Sequence, residues 1–178
     1  MLLLLLACDP VTLDGPDSST QPVVDSSPPE QVPGTFAVGK CSSIFDQDLL
    51  PEFALDFEPA EWAAVQADYQ SGRKEYHPAT FTYEEELIPV HVRLKGNPNF
   101  SWLGEKMQFV ISFNEEDPDA RFKGLRKLSL DASWYEETQL RDRLSWLLIR
   151  EGTELPAACA NNARLVIDGA YYGLYTNI

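Results

Sequence analysis

The sequence predicts an α+β domain with a mostly antiparallel sheet and two main helices. Strand-like and helix-like runs follow one another in the order strands, helix, strands, helix, hairpin. A parallel sheet would instead need strands and helices in regular alternation. Hydrophobic residues make up 44% of the 178 positions, which is enough for the core of one ordinary globular domain.

The first predicted strand lies within residues 49–58 and leads directly into a helix. Pro59 suits the first turn of that helix, and Gly72 suits its end. Apolar side chains recur at helical spacing and form one face of the helix: Trp62, Val65 and Tyr69. We therefore expect this helix to pack on the sheet through that face.

Three further strand segments follow the first helix. Residues 79–94 predict a hairpin with the acidic run 84–86 near its turn, and residues 106–113 alternate as a strand. An acidic, proline-broken loop comes next, and residues 125–132 alternate again. Alternation of apolar and polar residues is typical of strands with one buried face.

The second helix has the clearer pattern. Four leucines lie on one stripe of it: Leu140, Leu144, Leu147 and Leu148. Gly152 is suited to its end. Two strand-like runs then surround Asp168-Gly169, a strong signal for a tight hairpin.

The charge of the chain excludes several classes of function. Its 28 acidic residues and 14 lysines and arginines give a net charge of -14. Nucleic-acid binding requires a basic face that displaces counterions, so we expect no nucleic-acid partner. The same excess argues against peripheral docking on anionic lipid.

The usual catalytic and metal-binding motifs are absent from the sequence. The chain has two histidines and no Cys-x-x-Cys pair, so we predict no structural metal site. It also has no nucleophile elbow, Walker loop or dinucleotide-binding glycine motif. We therefore assign no catalytic residue, and we interpret His91 as a structural histidine on a strand.

The N-terminus, MLLLLLAC, is typical of the end of a bacterial lipoprotein signal. This interpretation makes residues 1–8 a signal remnant with a lipidated Cys8, and it places the true start upstream. Residues 9–35 are rich in Pro, Ser and Asp and lack Lys and Arg, which predicts a disordered tether. We expect an exported protein, anchored by lipid in the cell envelope. The alternative is an apolar N-terminus with no role.

Two cysteines remain if Cys8 carries lipid. Cys41 and Cys159 form an even pair, and an oxidising compartment permits a disulfide between them. The alternative is two separate buried thiols, because sequence does not establish that the residues are close.

Positive charge is scarce in this chain, yet Arg93, Lys95 and Lys106 gather around the break Gly96-Asn97. A short loop with one glycine is a weak signal. The residues alone therefore leave two interpretations open. The loop is either an ordinary turn with solvated charges or a turn that contacts an anionic group.

A series of motifs in order, VHVRLKGN, FVISF, RFKGLRKLSLD, LRDRLSWLLIREG and LPAACANNARLVIDGAYYGLY, resembles the CotH family of spore-coat protein H kinase-like proteins. The resemblance covers about residue 44 to the end. It implies a fold similar to an atypical protein kinase, with this chain as the smaller, nucleotide-binding lobe. It also implies ATP, with Mg²⁺, as the cofactor.

The resemblance implies roles for individual residues, because phosphoryl transfer depends on positioning and charge neutralisation. A glycine turn would approach the phosphates, a lysine on a strand would contact them, and an acid on a helix would hold that lysine. The residues concerned are Arg93, Lys95, Gly96, Asn97, Lys106 and Asp142. Two positions depart from the family pattern: Val110 stands where a second Lys is usual, and Asp142 where Glu is usual.

The family's catalytic and metal-binding aspartates lie beyond the motif YYGLY, near which this sequence ends. We therefore expect a partial kinase-like domain over residues 36–178 that is inactive alone. The alternative is a non-catalytic surface or coat-assembly module that binds another protein.

Overall fold

A computed structural model describes residues 40–102 and 106–178. The predicted signal remnant with Cys8 and the predicted tether 9–35 lie outside the described residues. Within the described residues a 3₁₀ turn (Ser43–Phe45) precedes seven strands and three helices. These are β1 (Glu52–Asp56), α1 (Pro59–Ser71), β2 (His77–Tyr83), β3 (Glu86–Leu94), α2 (Pro98–Ser101), β4 (Phe109–Ser112), β5 (Lys127–Asp131), α3 (Arg141–Gly152), β6 (Asn161–Ile167) and β7 (Ala170–Asn177).

The seven strands form a closed barrel in the order β1-β2-β3-β4-β5-β7-β6. Every neighbouring pair is antiparallel except β1 and β6, which run parallel. The predicted α+β class with a mostly antiparallel sheet and two main helices is therefore confirmed. Closure of the sheet was not predicted, and it results from the parallel β1–β6 pairing.

The core fills the inside of the barrel. Successive side chains of a strand point to opposite faces, so alternate residues of each strand line the interior. An aromatic cluster occupies one region of this core, where Phe81 packs edge-on against Phe113 and Phe122. Elsewhere Tyr175 of β7 is fully buried, and its hydroxyl donates a hydrogen bond of 2.6 Å to the carbonyl oxygen of Met107.

Helix α1 matches its predicted start, end and packing face. Gly72 follows the helix with a φ of +76°, in the left-handed region that glycine adopts without steric cost. Val65 is fully buried, and Trp62 and Tyr69 pack against the core from partly buried positions. Tyr69 stacks on Trp102, which fixes the segment after β3 against the end of α1.

A cluster of polar side chains around the buried Asp68 and His77 connects α1 to β2. The two ring nitrogens of His77 lie 3.2 Å from a Glu61 carboxylate oxygen and 3.1 Å from an Asp68 carboxylate oxygen. Burial alone would raise the pKa of Asp68. The hydrogen bonds from His77 and the Glu75 N–H, together with the Arg73 charge, hold the pKa of Asp68 below its usual value.

Helix α3 leaves part of its leucine stripe exposed. None of its residues is fully buried, and Leu144 and Leu148 are exposed. Its anchor to the rest of the domain is polar: the Arg143 guanidinium donates to the side chain and carbonyl oxygen of Gln47, at 2.8 and 2.7 Å. Periodicity therefore predicted the helix correctly, but it did not reveal which face of the helix packs.

Cys41 and Cys159 form a disulfide in the structure, with their Cα atoms 5.7 Å apart. The bridge joins the segment that precedes β1 to the segment that precedes β6. It spans 118 positions of the sequence. It therefore closes most of the barrel into one covalent loop.

Candidate anion-binding site

The candidate site lies at the end of the barrel where β3 leads into β4. The Lys95 N–H donates to the Gln108 carbonyl oxygen at 2.9 Å, which extends the β3–β4 pairing by one residue. Gly96 then turns the chain with a φ of +89°. The Asn97 side chain accepts a hydrogen bond of 2.9 Å from the Asn99 N–H and caps the single turn of α2. Gly96 and Asn97 thus form the turn that their sequence predicts.

Lys95 is paired with an acid at the end of β5. Its Nζ atom lies 2.7 Å from a carboxylate oxygen of Asp131, and both side chains are partly buried. The other carboxylate oxygen of Asp131 accepts a hydrogen bond of 3.0 Å from the Ser133 N–H. Backbone and ion pair together fix the position of this carboxylate.

Lys106 extends over the inward-facing ring of Tyr175, with Nζ 4.3 Å from the ring centroid. The ammonium donates to the carbonyl oxygens of Ala132, at 3.0 Å, and Leu174. The Gln139 side-chain oxygen lies 3.5 Å away. Among the described residues this lysine forms no ion pair with a carboxylate, so its charge is balanced by neutral dipoles and an aromatic face.

Burial lowers the pKa of the Lys106 amine to about 8, and the negative charge of Asp131 counteracts part of that shift. A cation taken out of water without a direct counter-ion is destabilised relative to its neutral form. An anion placed beside Nζ would reverse that effect. A negatively charged ligand should therefore bind more favourably at Lys106 than at a fully solvated lysine.

Gly173 in β7 makes room for this lysine. A Cβ atom at position 173 would lie 2.9 Å from Cε of Lys106, closer than side-chain carbons approach, and φ is +157°. The glycine of the YYGLY motif therefore has a steric role, because it lets the Lys106 side chain lie across the strand. A glycine inside a strand often marks such a close approach.

Arg93 does not join Lys95 and Lys106. Its guanidinium donates to the Leu94 carbonyl oxygen at 3.0 Å and lies 5.5 Å from the ring centroid of Tyr76. Lys127 approaches the same ring and donates to its hydroxyl at 2.8 Å. Arg93 is thus part of a separate cluster around Tyr76, and Val110, which departs from the family pattern, lies opposite it in register.

In the described part of the chain Asp142 forms no ion pair with a lysine, so the lysine–acid pairing that the resemblance implies is not seen there. Its carboxylate accepts hydrogen bonds from the hydroxyls of Ser133, at 3.0 Å, and Tyr135, at 3.2 Å. Position 142 lies in the first turn of α3, where these hydroxyls satisfy the carboxylate. The acid that influences both lysines is Asp131.

Asp131 was missed in the sequence, although one signal pointed to it. The alternating run KLSLD places its final acid at a strand end, and strand ends carry polar groups toward the mouth of a barrel. The pairing with Lys95 spans 36 positions, so no local pattern reveals it.

A groove of about 630 Å³ lies elsewhere, between residues 40–47, α3 and the disulfide. Its lining includes Leu147, Arg150 and Glu151 but neither Lys95 nor Lys106. The candidate site is defined by its charged groups and not by this groove.

Residues 92–178 match the family model described as CotH kinase protein. The resemblance to the CotH family is therefore confirmed over these residues. The matched residues run from β3 to the end of β7, so they include Lys95, Lys106, Asp131 and Gly173. No curated protein matches the chain.

Proposed function

We propose that this CotH domain binds the phosphate groups of a nucleotide, ATP, at Lys106 and Lys95. The observation that carries the proposal is the state of Lys106. Its amine is half-buried, has a pKa lowered to about 8, and has no carboxylate in ion-pair contact among the described residues. A phosphate supplies the missing negative charge.

The neighbouring Lys95–Asp131 pair gives the proposed site a second cation and a means of positioning it. Lys95 lies beside Gly96, where the missing side chain lets a ligand approach the backbone. Hydrogen bonds between a charged amine and a phosphate are stronger than those between neutral groups. Lys106 would therefore contact one phosphate oxygen directly, with Lys95 at the rim of the site.

Magnesium would reach this site mainly through the nucleotide. Among residues 40–102 and 106–178, no group of three or more His, Cys, Asp or Glu side chains could hold a metal ion. Mg²⁺ is commonly bound through one or two carboxylates together with substrate phosphates. Asp131 is the carboxylate that fits this role, because it lies beside both lysines.

We also propose that the barrel corresponds to the nucleotide-binding lobe of an atypical kinase. Three features support this: a lysine beside a strand, a glycine turn close to it, and an acid that pairs with a lysine at the same end of the sheet. A lobe of this kind positions and neutralises phosphates. We propose binding of the nucleotide at this lobe and not transfer of its phosphoryl group.

The test is a thermal unfolding titration with ATP, with and without Mg²⁺. At ten times the dissociation constant, a single site adds about 1.4 kcal/mol, which raises the midpoint by about 3–6 °C for a domain of this size. Lys106→Met keeps the aliphatic packing on Tyr175 and should abolish the rise. Lys127→Met is the matched control, because Lys127 is an exposed lysine in the separate Tyr76 cluster.

Two outcomes would contradict nucleotide binding at this site. One is the absence of a midpoint change at millimolar ATP. The other is an equal rise in the Lys106→Met and wild-type proteins. Inorganic phosphate at the same concentration separates recognition of a nucleotide from recognition of phosphate alone. A protein that fails these tests would fit better as a non-catalytic module for surface or coat assembly.

We further propose that the protein is exported and anchored in the cell envelope by lipid on Cys8. The Cys41–Cys159 disulfide supports export, because such bonds persist in oxidising compartments. In the described part of the chain, no helix has the length and apolarity needed to cross a membrane. Metabolic labelling with an alkyne fatty acid tests the anchor: the wild type should be labelled and Cys8→Ala should not.

A further inference from the structure

The outward face of α3 carries a continuous apolar stripe. Leu140, Leu144 and Leu148 follow one another at intervals of four residues, so they lie above one another on one side of the helix. Their exposed fractions are 42%, 52% and 72%. Single exposed leucines need no explanation, but a row of them on one helix face is typical of an interaction surface.

Two opposite charges lie on the same face. At 100° per residue, Arg141 and Glu151 fall on the side of the helix that carries the leucines, near its start and its end. Among the described residues neither side chain forms an ion pair. The other side of the helix carries Arg143, whose guanidinium is bound to Gln47.

Four of the five side chains on this face are arranged symmetrically about position 146. Leu144 and Leu148 lie at equal distances before and after Trp146, and so do Arg141 and Glu151. A two-fold axis at position 146 in an antiparallel helix pair therefore places Leu144 of one copy near Leu148 of the other. The same axis brings Arg141 of each copy to Glu151 of the other.

We propose that α3 docks against α3 of a second copy of this chain, as an antiparallel pair about a two-fold axis. In a two-fold interface the same surface serves both subunits, and the pairs Leu144 with Leu148 and Arg141 with Glu151 satisfy this condition. Leucines spaced by four residues also form the ridges that interdigitate when two helices pack.

The association should be weak and dependent on salt. One pair of helices of this length buries less than the roughly 1,200–2,000 Å² of a standard stable interface. We therefore expect a dissociation constant on the order of 10–100 μM. The charged pairs lie at the rim, so salt should weaken the dimer by screening them.

The surface is separate from the proposed phosphate site. Within the described residues, none of the three leucines, Arg141 or Glu151 forms a hydrogen bond or ion pair with Lys95, Lys106 or Asp131. Dimerisation and nucleotide binding can therefore be tested separately. Sedimentation velocity reports the first, and thermal unfolding with ATP reports the second.

The experiment is sedimentation velocity on the full chain from about 5 to 300 μM, a range that brackets the expected constant. Cys8→Ser is present throughout to exclude lipid attachment and disulfides between chains. Leu148→Glu should leave a monomer at every concentration. Leu87→Glu is the matched control, because Leu87 is an equally exposed leucine on β3, and it should leave association unchanged.

A charge swap distinguishes a second copy from any other occupant. Arg141→Glu places two glutamates opposite each other at both ends of the proposed interface. The dissociation constant should therefore rise about tenfold or more. Arg141→Glu combined with Glu151→Arg restores both pairs with their signs exchanged, and the dimer should return. A wild type that stays monomeric to 300 μM would overturn the proposal. So would association that Arg141→Glu does not weaken, or that the double exchange does not restore.

Discussion

Replacing Gly173 with alanine should destabilise the domain because of its contact with Lys106. The new Cβ would lie 2.9 Å from Cε of Lys106, whereas ordinary contacts are 3.4–4 Å. The end of the lysine must therefore withdraw by half an ångström or more. That movement stretches the hydrogen bond from Nζ to the Ala132 carbonyl oxygen, which is 3.0 Å long in the wild type.

The expected cost combines two terms. A hydrogen bond from a charged group contributes about 1.5–3 kcal/mol, and most of it is at risk when the lysine moves. The backbone of a non-glycine residue at this φ adds about 1 kcal/mol of strain. Together they predict a loss of about 2–3 kcal/mol, or about 5–10 °C in the thermal midpoint for a domain of this size.

The assay is chemical denaturation of a double-mutant cycle. In the Lys106→Ala background the clashing atom is gone, so Gly173→Ala should cost only the backbone strain, about 1 kcal/mol. Gly169→Ala is the matched control, because its φ is +76° but its Cβ would meet nothing within 4 Å. Equal costs of Gly173→Ala with and without Lys106 would refute the proposed contact.

Three further predictions follow from the same structure. Because the folded pKa of Lys106, about 8, lies below that of a free lysine, the unfolded chain binds more protons between about pH 8 and 10.5. Stability of the wild type relative to Lys106→Met should therefore rise across that range by at most about 3 kcal/mol, measured by denaturation at each pH. Reducing Cys41–Cys159, or replacing both with serine, should cost about 2–5 kcal/mol in denaturant titrations, because the bridge closes a loop of 118 positions. Asp68→Asn should cost about 2–3 kcal/mol at pH 7 by removing the carboxylate that His77 and Arg73 contact, and the difference should shrink as acid protonates Asp68, whose folded pKa is depressed.

Local patterns predicted most of the fold. Period-two alternation located the strands, and helical periodicity with Pro59 and Gly72 located α1. Asp168-Gly169 predicted the β6–β7 turn, where the Asp168 carboxylate also accepts a hydrogen bond of 2.8 Å from the Phe57 N–H. That second contact joins residues 111 positions apart, and no local pattern reveals such contacts.

Closure of the barrel could not be predicted for the same reason. It depends on the parallel pairing of β1 with β6, which are separated by most of the domain. The stripe on α3 shows a related limit, because periodicity identifies an apolar face without showing whether anything covers it.

The candidate site was predicted in part. The turn at Gly96 and the two nearby lysines were identified from residue types and their order. The acid was assigned to Asp142 through the resemblance, and the structure instead brings Asp131 to Lys95. A contact between two strand ends depends on how the sheet curves, and composition and spacing do not contain that information.

The most direct test of the central claim is the pKa of Lys106 itself, measured by NMR on protein with ¹³C-labelled lysine. The lysine signal that is missing from the spectrum of Lys106→Met belongs to Lys106. We expect Lys106 to titrate at about pH 8 in the free protein. Saturating ATP should raise that pKa by at least about one unit, because the phosphate stabilises the charged amine. Titration close to the usual 10.5 in the free protein, or a pKa that saturating ATP leaves unchanged, would contradict phosphate binding at Lys106.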